Sequence, residues 1–261
     1  MGSNFPPPSD MPMSLAKDFT MSFEIPVYHW YIDNSTKKDT MIWDKEVWDS
    51  FKNALTNINI IGNQSDIHRL LPNQNAGLWV LSSLRGISLF GKSIAILDSS
   101  NMPWLPVILI NNGARDVTIV HTEINSFCVS VDQPGLKSMS FQEFANSGTK
   151  YDYIFAFYLL HHMGLGRFGD VLSPNRDLEV MTILTDKTKK LLFVSIPIGT
   201  DKLIWNAHRI YGSKRFSRLI NPQLLKEERW VGHDKLEVMD RTLDNNLYLS
   251  PTPIIILKKL S

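Results

Sequence analysis

Short apolar runs that alternate with helical stretches constrain the fold of this chain more than any other feature. The first run is 92–98, and Val117–Val120 follows it after a helical stretch over 103–111. A strand, a helix and a second strand within about 30 residues form a βαβ unit, whose two strands are parallel. Continuous apolar runs are typical of parallel strands buried on both faces. The sequence therefore predicts a doubly wound α/β sheet.

The rest of the chain continues this alternation. Helices are predicted over 44–55, 75–89, 141–146 and 177–185, and further strands over 151–159, 191–196, 236–239 and 253–257. Residues 1–40 show no clear period, and Pro6, Pro7, Pro8 and Pro12 predict an extended N-terminal segment. We therefore expect one α/β domain over 41–261, preceded by that segment.

Charge and composition exclude several classes of protein. Lys and Arg number 27 against 26 Asp and Glu, so the net charge of +1 argues against a general nucleic-acid binder. The single cysteine, Cys128, excludes an intrachain disulfide and a Cys-rich zinc site. No apolar run approaches the ~20 residues of a membrane span, and no secretory signal is visible. We expect a cytoplasmic protein if the chain is full length, and a secretory-pathway lumen if a leader was removed.

Doubly wound sheets bind ligands past the carboxyl ends of their strands, and the first two strand ends carry candidate cofactor residues. Asp98, Ser99 and Ser100 follow the first strand, and the small serines would let a ligand approach the backbone. Glu123 follows the second strand, where a carboxylate can accept two hydrogen bonds from a ribose diol. An ordinary strand-to-helix turn and a solvated loop glutamate are the structural alternatives.

Two further stretches hold dense polar side chains. After the third strand, His161 and His162 precede Gly164–Asp170, in which three glycines within six positions cannot propagate a helix or a strand. After the fourth strand, Asn206–Gly212 combines Asn, His, Arg and Tyr, which can supply a base and several hydrogen-bond donors. The first stretch is typical of a functional loop. The second is also compatible with a helix start that has an exposed polar face.

These stretches resemble an uncharacterised family first described from nematodes, domain of unknown function 268. The resemblance covers roughly 85–225 and rests on Gly164–Asp170 with Pro174 and Asp177, on Ile196–Asp201, on Asn206–Gly212 and on the turn before Pro103-Trp104. It implies a Rossmann-like fold of the S-adenosylmethionine-dependent methyltransferase type, mostly parallel with an antiparallel strand near the C-terminus. It also implies S-adenosylmethionine as cofactor, glycan modification as a possible role, and Trp104 as a cofactor neighbour.

The chain departs from the family pattern at four places. The turn after Asp98 lacks the family's glycine, and His161-His162 replaces Glu-His. His121-Thr122-Glu123 stands where the family has Glu-Tyr-Asn, and Lys189-Lys190 where it has Gly-Gly. The first three departures fall around the expected cofactor pocket. They leave open a divergent enzyme and a protein that has lost its cofactor.

The leading hypothesis is a methyltransferase that acts on an oxygen of a sugar or another small hydroxylated acceptor. It needs a base for the acceptor proton, and a histidine suits that role near its reference pKa of ~6.5. We expect His162 or His208 to be the base, Arg167 and Arg209 to orient the acceptor, and Asp170 to fix one of these side chains. Asn206, Tyr211 and Asp177 are the predicted acceptor-binding residues.

Three other functions stay open at this stage. The missing glycines favour a non-catalytic Rossmann-like binding or scaffold protein. A metal-assisted enzyme could use His161, His162, Asp170, Asp177 or His208, although their spacing matches no ligand motif, and we predict no metal. A nucleotide-sugar transferase is the weakest alternative, because the sequence has no Asp-x-Asp motif.

Overall fold

A seven-stranded sheet forms the centre of the computed structural model, which describes residues 6–36, 41–55, 74–98, 103–122, 127–235 and 250–260. The strands are β1 (Val27–Trp30), β2 (Met41–Trp43), β3 (Ser93–Asp98), β4 (Asp116–His121), β5 (Phe127–Val129), β6 (Leu136–Ser140), β7 (Tyr151–Phe157), β8 (Thr188–Ser195), β9 (Lys202–Asn206), β10 (His208–Ile210), β11 (Leu225–Val231) and β12 (Ile254–Lys259). The helices are α1 (Met13–Phe19), α2 (Lys45–Leu55), α3 (Gln74–Leu84), α4 (Trp104–Asn111), α5 (Phe141–Asn146), α6 (Arg176–Lys187) and α7 (Ser213–Leu219).

The order of strands in the large sheet is β11-β12-β8-β7-β3-β4-β6. The five adjacent strands β6, β4, β3, β7 and β8 are parallel to one another, whereas β12 is antiparallel to both β8 and β11. The structure thus confirms the predicted Rossmann-like sheet, mostly parallel with an antiparallel strand near the C-terminus. The strand order reverses between β3 and β7, and sheets of this kind bind ligands at the carboxyl end of such a reversal.

Helices cover both faces of the sheet, and the side chains of each strand alternate between the two layers. In β3, Ile94 and Ile96 pack with α2, α3 and α4, while Ala95 and Leu97 belong to the layer of α5, α6 and α7. β12 divides in the same way, with Ile254 and Ile256 in the first layer and Ile255 in the second. Burial on both faces is the reason why these strands are continuous apolar runs in the sequence.

A second, three-stranded sheet lies beyond the end of β8. β9 pairs with β10 in an antiparallel hairpin and with β1 in parallel, in register from Val27 opposite Leu203 to Trp30 opposite Asn206. The Phe19 ring of α1 contacts Trp205 edge to face, with 5.4 Å between ring centroids. The described part of the predicted N-terminal segment therefore holds one helix and one strand, and it is attached to the chain that follows β8.

One late strand, β11, was not predicted from the sequence. β11 forms an edge of the large sheet, although its sequence, Leu-Lys-Glu-Glu-Arg-Trp-Val, contains no apolar run. The strand predicted over 236–239 lies outside the described residues. Within the described ranges, no helix is both long and apolar enough to cross a membrane.

Candidate active site

Three histidines meet just past the carboxyl end of β7, beside the reversal of strand order. His161 and His162 lie in a short 3-10 turn, Leu160–His162, with 4.0 Å between their ring centroids. His208 begins β10, and its ring centroid is 6.2 Å from that of His161 and 6.3 Å from that of His162. The structure thus brings together side chains from two strand ends that are more than 40 residues apart in sequence.

The backbone that leads into this histidine cluster is in an unusual conformation. Tyr158 directly follows β7 and has φ of 53°, in the left-handed region that a non-glycine residue rarely adopts. Leu159 and Leu160, which are fully buried, hold the next residues against the core. Sparsely populated backbone conformations of this kind concentrate at functional sites, where the surrounding structure maintains them.

His162 is a neutral imidazole with a defined tautomer. Its Nδ1 donates to the carbonyl oxygen of Ala207 at 2.8 Å, because a carbonyl can only accept. Burial, and then the Arg167 guanidinium, lower the pKa of His162 to about 3. With the proton on Nδ1, the Nε2 atom keeps its lone pair and can accept a proton.

The carbonyl of Ala207 orients two polar side chains at once. In addition to His162, it accepts a hydrogen bond from Nη1 of Arg167 at 3.1 Å. The Arg167 guanidinium also lies over the Phe168 ring, 4.9 Å from its centroid, and is partly exposed. Burial lowers the pKa of Arg167, but a guanidinium stays charged at neutral pH. The site therefore presents a fixed positive charge beside a neutral base.

The glycine-rich loop, residues 163–170, is closed by the carboxylate of Asp170. Oδ2 accepts from the amides of Gly164 at 2.7 Å and Gly166 at 3.3 Å, and Oδ1 from the amide of Phe168 at 3.2 Å. Gly164 has φ of 76°, and a Cβ there would collide with the backbone oxygen of Ser173. Burial raises the pKa of Asp170 in spite of these hydrogen bonds. Asp170 therefore contacts its own loop rather than the histidines.

A fully buried carboxylate, Asp177, organises the interior behind the loop. Arg215 binds it through two nitrogens, with Nη2–Oδ1 and Nε–Oδ2 distances of 2.6 and 2.9 Å, and the Tyr211 hydroxyl donates to Oδ2 at 2.9 Å. Nε of Arg209 lies 3.9 Å from Oδ2. Burial favours the protonated form of Asp177, but Arg209 and Arg215 outweigh it and hold the pKa below its ordinary value. We call Asp177, Arg209, Tyr211 and Arg215 the buried network.

The buried network also ties the loop to the second sheet. Arg209 donates to the carbonyls of Met163 and Pro174, and Arg215 donates to that of Pro174 at 2.7 Å. These carbonyls flank the glycine-rich loop, whereas Arg209 belongs to β10 and Arg215 to α7. The network thus fixes the position of the loop relative to Ala207, the residue whose carbonyl holds His162.

Two other polar residues have structural contacts. Asp201 accepts from the amides of Gly212, Lys214 and Arg215 at 2.8 to 3.1 Å, so it caps the start of α7. Asn206 is fully buried, and its Oδ1 accepts from the amide of Ile32 at 2.8 Å. Its Nδ2, like Nδ1 of His161, is buried and has no hydrogen-bond partner in the described part of the chain.

The carboxyl ends of the neighbouring strands supply two more buried donors. Trp104 begins α4 after the turn that follows β3, and Ser195 ends β8. The Trp104 indole N–H and the Ser195 hydroxyl are buried and find no partner among the residues that the structure describes. An unpaired buried donor costs free energy, so acceptor atoms of a ligand at this edge would be stabilising. Of the other predicted cofactor residues, Asp98 ends β3, while Ser99, Ser100 and Glu123 lie outside the described residues.

The metal-assisted alternative requires a cluster of ligand side chains. In the described ranges, no group of three or more His, Cys, Asp and Glu side chains is arranged to hold a metal ion. The residues considered for that role are divided between the histidine cluster, the backbone amides around Asp170 and the buried network.

The sequence profile of the family described as "Caenorhabditis protein of unknown function, DUF268" matches residues 92–227, just over half of the chain. The chain belongs to this family. The match runs from the start of β3 into β11, so it includes the histidine cluster, the glycine-rich loop and the buried network. Among curated proteins, no sequence matches this DUF268 chain.

Solved structures similar to this DUF268 protein include two methyltransferases. Magnesium protoporphyrin IX methyltransferase from Synechocystis PCC 6803, solved with bound S-adenosylhomocysteine, has a TM-score of 0.46 and 11% identity, with 83% of this chain and 95% of that chain covered. An S-adenosylmethionine-dependent methyltransferase from Mesorhizobium loti has a TM-score of 0.43 and 11% identity, with 70% of this chain and 99% of that chain covered.

The predicted site residues of the DUF268 chain fall into two groups. His162, His208 and Arg167 lie together at the carboxyl end of β7, whereas Asp177, Arg209 and Tyr211 bind one another in the interior. Arg215, the principal partner of Asp177, lies 38 residues away in α7 and is not among the predicted site residues. No local pattern connects them. Asp201, which caps α7, is by contrast the last residue of the Ile196–Asp201 motif that the sequence already showed.

Removal of the Asp177 charge tests the buried network. We expect Asp177→Asn to lower the free energy of unfolding by about 3–5 kcal/mol, because Arg209 and Arg215 would stay buried without a counterion. Tyr211→Phe is the matched control, since it removes one hydrogen bond to the same carboxylate and should cost about 2 kcal/mol. Urea unfolding measures both values. Equal costs for the two variants would contradict the role of the charge.

The pKa of His162 predicts a stability that declines with acid. The pKa is near 6.5 in the unfolded chain and about 3 in the folded one, so the unfolded state binds more protons between these values. The contribution of His162 to the free energy of unfolding is therefore complete above pH 6.5 and is lost as the pH falls from 6.5 toward 3. We expect His162→Asn to reduce the stability difference between pH 7.5 and 5.0 by about 2 kcal/mol in urea unfolding. The exposed His29→Asn should leave that difference unchanged, and an unchanged difference in His162→Asn would contradict the assignment.

Proposed function

We propose that this DUF268 protein is an S-adenosylmethionine-dependent methyltransferase that methylates a hydroxyl oxygen of a sugar or another small hydroxylated acceptor. The observation that carries the proposal is a neutral histidine, His162, in the turn after β7, beside the reversal of strand order in a sheet of the methyltransferase type. A base at this point of the sheet is next to the crevice where doubly wound folds bind their ligands.

The residues around that crevice fit the cofactor. S-adenosylmethionine carries a carboxylate, ribose hydroxyls and ring nitrogens, all of which can accept hydrogen bonds. Trp104, whose buried indole N–H has no acceptor in the described ranges, could donate to such a group. Asp98, Ser99, Ser100 and Glu123 are the other residues proposed to hold it. When bound, the cofactor supplies an electrophilic methyl group.

His162 would act on the acceptor hydroxyl. Nε2 of His162 would accept the hydroxyl proton of the acceptor, while the acceptor oxygen takes the methyl group that the bound cofactor would supply. Because Nδ1–H is held by the carbonyl of Ala207, the imidazolium that results keeps both of its N–H groups oriented. The depressed pKa limits basicity, but it keeps the imidazole unprotonated across the physiological range, so the lone pair is always available.

Two neighbours would position the acceptor. Arg167 is partly exposed and offers a planar fork of donors for hydroxyl or anionic groups. His208 is the second neighbour, with its ring centroid 6.3 Å from that of His162 and 6.1 Å from that of Trp30, and it would contact the same acceptor. The remaining predicted residues would serve as positioning residues, because their observed contacts are with the protein itself. They are Asp170, Asp177, Asn206, Arg209 and Tyr211.

Methyl transfer can be measured directly with radiolabelled S-adenosylmethionine and a panel of methyl glycosides as acceptors. We expect wild-type protein to label at least one glycoside, and His162→Asn to lower kcat by about 10²–10⁴-fold, the usual contribution of a positioned base. The KM for S-adenosylmethionine should change little, because His162 is proposed to act on the acceptor.

His29→Asn is the matched control for that experiment, because His29 is an exposed histidine outside the cluster, whose ring contacts the carbonyl of Ser9 and, at 3.9 Å, Asp10. It should retain wild-type turnover. If His162→Asn kept more than a tenth of wild-type turnover while His208→Asn lost it, the base would be His208. If both variants kept full activity, the proposed chemistry of the cluster would be wrong.

A further inference from the structure

Basic side chains gather at the amino edge of the large sheet, opposite the candidate active site. The segments at this edge, residues 85–93, 112–117, 130–137, 147–152 and 186–190, contain eight Lys and Arg against four Asp. The whole chain has a net charge of only +1. The positive charge is thus segregated onto the edge where the parallel strands begin.

Four of these cations form a row across neighbouring strands. Lys137, Arg115, Lys92 and Lys190 lie at the starts of β6, β4, β3 and β8, which with β7 are adjacent in the sheet. With about 4.8 Å between strands, the row is about 19 Å long. The ammonium groups of Lys92 and Lys190 are close enough that Lys190 lowers the pKa of Lys92.

Two of the four carboxylates at this edge, Asp132 and Asp186, are exposed, whereas Asp116 and Asp152 lie beneath the cations of the row. Asp116 lies 2.7 Å from Nε of Arg115 and 3.8 Å from Nζ of Lys137, and Asp152 lies 3.6 Å from Nζ of Lys190. The side chains of Asp116 and Asp152 are 30% and 17% exposed, whereas the three cations are 53–64% exposed. The outer surface of the row is therefore positive, although its base is partly neutralised.

An exposed aromatic side chain stands beside this row. Phe90 is 82% exposed, two residues before Lys92. Its turn is fixed, because the amide of Gly91 donates to the carbonyl of Gly113 at 2.8 Å. A Cβ on Gly113 would lie only 2.9 Å from the Phe90 ring, so the glycine allows the ring to lie over the next loop. We call Phe90, Lys92, Arg115, Lys137 and Lys190 the amino-edge patch.

We infer that the amino-edge patch binds the surface of an anionic lipid bilayer. Cations at headgroup level, with an apolar side chain inserted at the acyl boundary, are the chemistry of interfacial attachment. Proteins that bind single-stranded nucleic acid use several aromatic rings for successive bases, and this edge offers one. In the docked orientation the carboxyl edge of the sheet, where the histidine cluster lies, faces away from the bilayer. The inference does not depend on the proposed function.

Sedimentation of the full chain with vesicles tests this inference. We expect binding to phosphatidylcholine vesicles that contain 30% phosphatidylserine, and loss of that binding at 0.5 M salt, since the attraction is screened within a Debye length. Lys137→Gln/Lys190→Gln should weaken the partition coefficient about 25-fold, at about fivefold for each cation removed. Phe90→Ala should weaken it severalfold.

Lys45→Gln/Lys214→Gln is the matched control, because both are exposed, ion-paired lysines outside the patch. It should bind vesicles as the wild type does, and thermal unfolding verifies that all variants are folded. Three results would overturn the inference. They are equal binding to pure phosphatidylcholine, no binding to the anionic vesicles, and equal losses of binding in the two double variants. Retention by a DNA duplex in the absence of vesicle binding would also overturn it and would assign the patch to nucleic acid.

Discussion

The buried ion pair between Asp177 and Arg215 is the interaction on which the rest of the site depends. The Asp177 carboxylate accepts two hydrogen bonds from Arg215 of α7 and one from the Tyr211 hydroxyl, and it lies near Arg209 of β10. Those guanidiniums in turn hold the carbonyls that flank the glycine-rich loop. The position of the loop decides where Arg167 lies, and the second sheet decides where the Ala207 carbonyl lies. One buried charge therefore links both halves of the site, and its partners cannot be removed singly without leaving a charge unpaired in the interior.

The large sheet was predictable because its strands are buried on both faces. The runs at β3, β4, β7, β8 and β12 are apolar for that reason, and the βαβ spacing around α4 predicted the parallel pairing of β3 and β4. β11 escaped prediction because it is an edge strand, whose Lys226, Glu227 and Glu228 protect an exposed side of the sheet. β9 and β10 were not predicted from the sequence for a different reason. Their polar residues are buried in protein contacts, so a pattern that indicates a solvated helix start is in fact a buried hairpin.

The sequence indicated the loop at which three of the predicted site residues meet, but not how the other polar residues pair in the interior. Two histidines followed by three glycines after a strand end indicate a functional loop, and His162, Arg167 and His208 do meet there. Burial and pairing depend on distances that no local pattern contains. Asp177 and Arg215 are 38 residues apart, and only the packing of α6 against α7 brings them together. For the same reason the lowered pKa of His162 follows from burial and from Arg167, which outweigh the opposing effect of the Ala207 carbonyl.

Isothermal titration with S-adenosylmethionine and with S-adenosylhomocysteine tests the central claim, that the crevice at the carboxyl ends of β3 and β4 holds this cofactor. The account predicts micromolar binding of both compounds, weakened at least tenfold in Trp104→Phe, which removes the indole N–H and keeps an aromatic ring. A surface lysine variant such as Lys45→Gln should bind normally. No heat from either compound at millimolar concentration would contradict the account and would favour a Rossmann-like protein without catalytic activity.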